Sequence, residues 1–309
     1  YSNDGALYAD ADNNRIWNQT YEMTNPTIDT CGNYLVVYDK KGTDLYVMTT
    51  EGLSAKIETT RKIQMASIAG QGTVAVLMGD QSGSVLVLYD KNGNELVNGA
   101  IYGEDGGYPI AIALSDDAVK LAVAMLDISD GNVKTTVAFY NFGSVGENEI
   151  DRIVSANSFS DMVIPEMDFV SKDRMVAYGD SEILIFEGTQ KPKLTQEIAL
   201  SDQAKSTFHN EKYIGVVYSN NDEQLTHHVI IYDMHGTAVM ENDFDMEYTQ
   251  IGFLSNSELC ITNEHSCDIY TARGIYKFHY DFDEKLYKIV AGRMGLNYTV
   301  ILEGVTEKI

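Results

Sequence analysis

The chain has 309 residues, 46 acidic against 22 basic, for a formal net charge of −24. Its 44% hydrophobic content is enough for a packed core and excludes a disordered chain. The acidic excess leaves no basic surface to release counterions, so nucleic-acid partners are excluded and an anionic membrane surface should repel the body.

The acidity is even along the chain, with 21 acids and 10 bases in residues 1–154 and 25 and 12 in the remainder, so no acidic tail stands apart. The longest apolar run, Leu121 to Leu126, is far short of the ~20 residues that span a bilayer. The first residue is Tyr1 and no leader pattern follows it. We expect a removed leader or a missing N-terminal membrane anchor ahead of it, and an extracytoplasmic location.

In chain order, short β-rich runs alternate with turn signals, the pattern of an all-β protein. Gly5-Ala6-Leu7-Tyr8-Ala9-Asp10 and Arg15-Ile16-Trp17-Asn18-Gln19-Thr20 read as two strands. Leu35-Val36-Val37-Tyr38 leads by a turn to Leu45-Tyr46-Val47-Met48. Val74-Ala75-Val76-Leu77 leads through Ser82-Gly83 to the run from Val85 to Asp90. Met175-Val176-Ala177-Tyr178 passes through Gly179-Asp180 to Ile183-Leu184-Ile185-Phe186. Tyr213 to Tyr218 leads to Val229-Ile230-Ile231-Tyr232-Asp233, and Leu259-Cys260-Ile261 leads to Ile269-Tyr270. The leading runs start at 35, 74, 121, 175, 213, 259 and 298. That spacing is the ~40–50 residues of a four-stranded propeller blade.

The predicted fold is therefore a seven-bladed β-propeller, one domain over residues 1–309. The seventh repeat has too little chain left for four strands, so N-terminal strands at about 5–21 are expected to complete the blade that begins near 286.

Leu114-Ser115-Asp116-Asp117 followed by Leu121-Ala122-Val123-Ala124 resembles the Ser-x-Asp segment that opens WD40-type and TolB-like blades, and Val170 to Ala177 is a weaker copy. Gly5 to Asp10 with Trp17 resembles the quinoprotein-like repeat. The whole chain is similar to an uncharacterised family of membrane-anchored, extracytoplasmic propellers of Clostridia-like Gram-positive bacteria. That resemblance implies topology and brings no site. Quinoprotein dehydrogenases carry Trp in most blades and an adjacent Cys pair. This chain has one Trp and no such pair, so no quinone or other cofactor is expected. The Gly-His and Trp-Asp signatures of WD40 scaffolds are missing too.

Asp10-Ala11-Asp12-Asn13-Asn14 has the alternating oxygens of a calcium loop. Arg15 and Tyr21 stand where Gly and Glu are needed, so a polar hairpin turn is favoured. The histidines at 209, 227, 228, 235, 265 and 279 lack metal-ligand spacing, and no metal is expected. His227 and His228 should point to opposite faces of a strand, and the six read as scattered surface or loop residues. Asp243 with Asp245 and Asp281 with Asp283 are pairs of the kind glycosidases use, but an acid-rich chain produces them by chance. No Gly-x-Ser-x-Gly elbow occurs. Cys260 and Cys267 flank a hairpin tip and are read as directly opposed, hence as a possible disulfide.

The binding candidate is the connection Ile101 to Pro109. Tyr102 and Tyr108 give apolar faces with polar tips, Glu104 and Asp105 give charge, and glycines permit close approach. Arg61, in the equivalent connection Glu58 to Lys62, puts positive charge on the same predicted face, which Asp127 to Asn132 should border. The resemblance to propellers implies that this face surrounds the channel mouth. The reading is a monomeric, non-catalytic binding or scaffold propeller for a peptide, protein or glycan of the cell envelope. The alternative is a glycan-active enzyme using an Asp/Glu pair on the channel face.

Overall fold

The computed structural model describes residues 1–10, 14–80, 83–101, 107–220, 224–292 and 297–309. It is almost wholly antiparallel β-sheet. Sheet I pairs β1 (Gly5–Ala9) with β2 (Arg15–Thr20). Sheet II is β3 (Pro26–Cys31), β4 (Tyr34–Asp39), β5 (Asp44–Thr49) and β6 (Gly52–Glu58). Sheet III is β7 (Ile63–Ile68), β8 (Val74–Asp80), β9 (Gly83–Tyr89) and β10 (Glu95–Ile101). Sheet IV holds β11 (Tyr108–Leu114), β12 (Lys120–Asp127), β13 (Lys134–Asn141) and β14 (Ile153–Ser160). Sheet V holds β15 (Glu166–Ser171), β16 (Arg174–Tyr178), β17 (Glu182–Glu187) and β18 (Lys193–Ala199). Sheet VI runs through β19 (Ser206–His209), β20 (Tyr213–Ser219), β21 (His227–Asp233) and β22 (Ala238–Phe244). Sheet VII runs through β23 (Gln250–Phe253), β24 (Leu259–Thr262), β25 (Ser266–Tyr270) and β26 (Tyr276–Asp281). Sheet VIII has three strands, β27 (Leu286–Ala291), β28 (Tyr298–Leu302) and β29 (Val305–Lys308).

In sheets II to VIII the strands follow one another in chain order, the up-and-down arrangement of a propeller blade. The seven apolar runs picked out by sequence are the second strands of these sheets, β4, β8, β12, β16, β20, β24 and β28. Hydrogen bonding divides the described residues into eight sheets where seven blades were expected. Sheet I has two strands, and β29 adds a strand that the repeat spacing did not show. No helix among the described residues is long and apolar enough to cross a membrane.

The chain forms two compact units. The first contains Tyr1–Asp10 and Asn14–Thr195, and the second contains Gln196–Ile309. In the first, each sheet packs its face on the next. Tyr21 and Met23 meet Val37, Tyr46 and Met48 of sheet II, and Val36 and Val47 of sheet II meet Val76 and Val87 of sheet III. Leu77 and Leu86 meet Leu121 and Val123 of sheet IV, whose Ala122, Ala124 and Phe139 meet Met175, Leu184 and Phe186 of sheet V. In the second unit, Val229 and Ile231 pack on Leu259 and Ile261, and Cys267 and Ile269 pack on Ile289 and Val300.

The turns repeat as well. Asp90 Oδ1 accepts the N–H groups of Asn92 and Asn94 at 2.8 Å, and Asp233 Oδ1 accepts those of His235 at 2.9 Å and Thr237 at 3.0 Å. The glycines of these third-to-fourth-strand turns, Gly93 and Gly236, have φ of 84° and 78°, a left-handed conformation that other residues adopt only at a cost. Asp10 Oδ1 accepts the Asn14 N–H at 2.8 Å, and Asp12 and Asn13 of the calcium-loop pattern lie outside the described residues.

Sheets IV and V are also joined by a buried cation. Lys120 is 1% exposed, and its Nζ donates to Asp173 Oδ1 and to the Thr189 carbonyl, both at 3.1 Å. Removing one partner of such a pair strands the other charge in a poorly solvated site. Asp173→Ala is expected to cost about 3 kcal/mol in denaturant unfolding, and Lys120→Met distinctly less. Equal losses would show that the pair is not what holds this junction.

Candidate ligand-binding face

Strand alternation decides which loops share an edge. In every four-stranded sheet, the connection into the first strand and the connection between the second and third strands leave from the same end. Sheet IV shows what that edge holds. Tyr108 opens β11 and pairs with Leu126 near the end of β12. A Cβ on Gly107 would lie 3.1 Å from the Leu126 carbonyl oxygen and 3.6 Å from Asp127 Cβ, so Gly107 lies against the end of β12. Tyr108 is 69% exposed, and Ile128 beyond β12 is 62% exposed.

Next to Ile128 lies a polar cleft of about 610 Å³, lined by Asp127, Ser129, Asn132, Lys134, Ser160 and Asp161 among others. Asp127 Oδ1 accepts the Ser129 N–H at 2.8 Å, and Lys134 Nζ lies 3.7 Å from its Oδ2. The Ser129 hydrogen bonds, with Lys134 behind them, hold the Asp127 carboxyl below its ordinary range. Asp161 is left-handed at φ 56°, and its N–H donates to the Val133 carbonyl at 2.7 Å, closing one wall. The edge can therefore offer an ammonium, an ionised carboxylate and hydroxyls beside exposed apolar surface.

The structure thus brings Tyr108 and the 127–132 connection together. Tyr102, Glu104 and Asp105 lie outside the described residues. Arg61 sits half-buried in the β6–β7 connection, where its carbonyl accepts the Thr59 hydroxyl at 2.7 Å. It belongs to the corresponding edge of the preceding sheets and not to the cleft of sheet IV.

Two clusters were missed by sequence reasoning. The first lies on the opening strands of the first unit. Asp29 on β3 accepts the Ile68 N–H of β7 through Oδ2 and the Thr30 N–H through Oδ1, both at 2.8 Å. Burial pushes its carboxyl upward against those hydrogen bonds, and the Asp168 charge on β15 adds to the rise. Cys31 donates to Asp116 at 3.6 Å, and burial and then Asp116 push its thiol up to about 11. Ser67 Oγ of β7 accepts the Leu114 N–H of β11 at 3.2 Å. The available signal was a charge inside an apolar strand, Ile28-Asp29-Thr30 and Met167-Asp168-Phe169.

The second cluster surrounds His227. This residue is 1% exposed, not a surface histidine, because Phe244 and Tyr248 enclose it at ring distances of 4.9 and 5.2 Å. Lys205 Nζ lies 3.2 Å from Nδ1. Burial, and then the Lys205 charge, hold the imidazole below its ordinary range against the pull of Glu247. His228 points to the other face, as strand alternation requires, and contacts Asp243 at 2.6 Å and Glu241 at 3.3 Å. Among the described residues no cluster of three His, Cys, Asp or Glu side chains is set to hold a metal ion.

The cysteine geometry differs from expectation. Cys260 pairs with Ile269, and Cys267 pairs with Thr262, so the two are diagonal neighbours on one face and not opposed. Diagonal positions lie ~7–8 Å apart, beyond ordinary disulfide reach. Both are free thiols buried in the core. Burial drives the Cys260 thiol far up, and burial with Asp268 pushes Cys267 up to about 12.

The chain belongs to a family of unknown function (DUF5711), whose profile matches residues 1–309. No curated protein matches it. Among solved structures it is similar to BamB from Moraxella catarrhalis, with TM-score 0.54 and 15% identity over 99% of this chain and 93% of that one. It is also similar to the Neurospora crassa Pan2 WD40 domain, with TM-score 0.50 and 10% identity over 89% and 84%. Kuenenia stuttgartiensis hydrazine synthase gives 0.52 and 13% over 91% and 94%. At these identities the likeness establishes the β-propeller fold and nothing about chemistry.

Intact mass with and without reductant should be identical. Iodoacetamide on the folded chain at pH 7.5 should spare Cys260 and Cys267, and all three cysteines should label after unfolding. A reductant-dependent gain of two hydrogens would overturn the diagonal geometry.

Proposed function

We propose that this chain is a non-catalytic binding or scaffold propeller. In this reading it is a monomer on the outer side of the cell membrane, held by an N-terminal anchor. Its partner is a peptide, protein or glycan of the cell envelope. The observation that carries the reading is the edge of sheet IV, where exposed Ile128 adjoins a polar cleft holding Asp127 and Lys134 and exposed Tyr108 opens the neighbouring strand β11. Isolated soluble chains gain nothing from exposing a large ring and an isoleucine beside a polar cleft, whereas a partner would cover both. The fold likeness to BamB and to a WD40 domain over most of the chain supports the architecture, and the site supplies the argument for binding.

The test is a thermal-shift screen of the full chain against envelope glycans and peptides. A ligand at ~1,000 times its Kd stabilises by about 4 kcal/mol. Tyr108→Ala, Lys134→Ala and Tyr102→Ala should each reduce the shift without moving the melting point of the free chain. A shift indifferent to all three removes sheet IV as the site.

A glycan-active enzyme is the second reading, favoured by one observation, the raised Asp29 carboxyl with Asp168 in electrostatic reach. Glycoside hydrolysis needs one carboxyl kept protonated beside one kept ionised. If this reading holds, wild type releases reducing ends from envelope glycan and Asp29→Asn loses about a hundredfold or more of that rate. Wild type without hydrolysis excludes it.

A further inference from the structure

A cleft of about 420 Å³ opens between β23 and β27 in the second unit. Cys260 and Ile289 form part of its lining, with Gly252, Phe253, Lys288 and Val290 around them. Two local features create the opening. Gly252 pairs with Cys260, whose face packs toward sheet VIII, so the missing side chain is on the side facing β27. A Cβ there would meet nothing within 4 Å. On the other wall, the β27–β28 register shifts between Leu286 and Lys288. Such a bulge re-aims the side chains that follow it.

Both walls are also open sheet edges. Leu254 N–H donates to the Glu258 carbonyl at 2.8 Å. Hydrogen-bonded and non-hydrogen-bonded pairs alternate along an antiparallel ladder. Gly252 and Cys260 are therefore a hydrogen-bonded pair, and Ile251 and Phe253 turn their N–H and C=O groups to the free side of β23. Gly292 N–H donates to the Asn297 carbonyl at 2.7 Å, and the same alternation turns the backbone groups of Ile289 and Ala291 outward from β27. Lys288 is the one charged side chain among the described lining residues, and among the described residues it has no ion-pair partner.

We propose that this cleft binds an extended peptide segment laid along the β23 edge, its apolar side chains beside Phe253 and Val290 and one carboxylate side chain on Lys288. Main-chain hydrogen bonds to a free strand edge give such a site its affinity, and the pockets for alternate side chains give it selectivity. Charge complementarity selects the carboxylate, because the lining offers one cation, neutral Gln250, Ser255 and Thr262, and no acid. The site is independent of the sheet IV reading.

The test is fluorescence anisotropy with three fluorescein-labelled hexapeptide pools that alternate threonine with valine, leucine or isoleucine and carry Glu, Gln or Lys at one central position. The full chain is expected to bind the Glu pool about tenfold tighter than the Lys pool. Lys288→Glu should reverse that order. Gly252→Leu, which fills the cleft at backbone angles open to any residue, should weaken every pool about tenfold or more. Thermal melts identify the folded variants, with Lys288→Gln and Gly252→Val as replacements, for which loss of the preference and weakened binding are the expected results. The proposal is overturned by wild-type binding weaker than about 1 mM for all pools. An order of preference unmoved at Lys288, or a filled cleft that binds like wild type, overturns it equally.

Discussion

The constraint on which this molecule rests is that a four-stranded sheet with two apolar faces must have both of them covered. In β12, Leu121, Ala122, Val123 and Ala124 are each fully buried, the odd positions against sheet III and the even ones against sheet V. Each fully buried leucine or valine contributes about 1.5–3 kcal/mol, so the stacking of sheet on sheet outweighs anything the loops add. The small residues are as necessary as the large ones. Ala122 and Ala124 let sheet IV approach the sulfur and rings of Met175 and Phe186, and larger residues there would force the two sheets apart.

Once stacking and ladder hydrogen bonds supply the stability, the strand ends carry few structural obligations. That is why sheet IV tolerates a left-handed Asp161 and an exposed Tyr108 on one edge, and why Gly252 can leave a slot between sheets VII and VIII. The two binding sites proposed above would arise by subtraction at Gly252 and by addition at Tyr108, positions where packing does not object.

The same division explains what the sequence disclosed. Doubly buried strands need near-continuous apolar runs, so β4, β8, β12 and β16 could be read from Leu35, Val74, Leu121 and Met175 to within about one residue. Turn chemistry was legible at Gly179-Asp180, where the Gly179 N–H donates to the Glu182 carbonyl at 2.8 Å. The opening strands were harder. β3 has no fully buried position and β15 alternates exposed and buried residues through Phe169, so neither shows a run, and Asp29 and Asp168 look like loop residues. Hairpin register was misjudged at Cys260 and Cys267, because register depends on which residues form the tip. Asn263 sets that tip here by accepting the N–H groups of His265 and Ser266. His227 was misjudged for a related reason, since its burial comes from Tyr248 in a loop that periodicity does not address.

Charge sets a further condition on any partner. With 46 acids against 22 bases, the long-range field repels anions, and salt screens that field beyond about 8–10 Å. Short-range recognition is then decided by the few cations placed next to apolar surface. The protein pairs several of its cations inside the fold, Lys120 with Asp173 and Lys277 with Glu258 and Tyr298, where the hydrogen bonds hold Glu258 ionised despite its burial. Lys288 differs, because it lines a cleft whose other side chains carry no charge. A partner with a mixed surface, apolar with isolated carboxylates, would escape most of the long-range repulsion and still meet a cation on contact. A strongly acidic partner would be turned away before contact, and a basic one would find attraction everywhere and register nowhere. Under the binding proposals made above, the acidity of this chain acts as a filter on partners, and the Lys288 cleft is where that filter has a local exception.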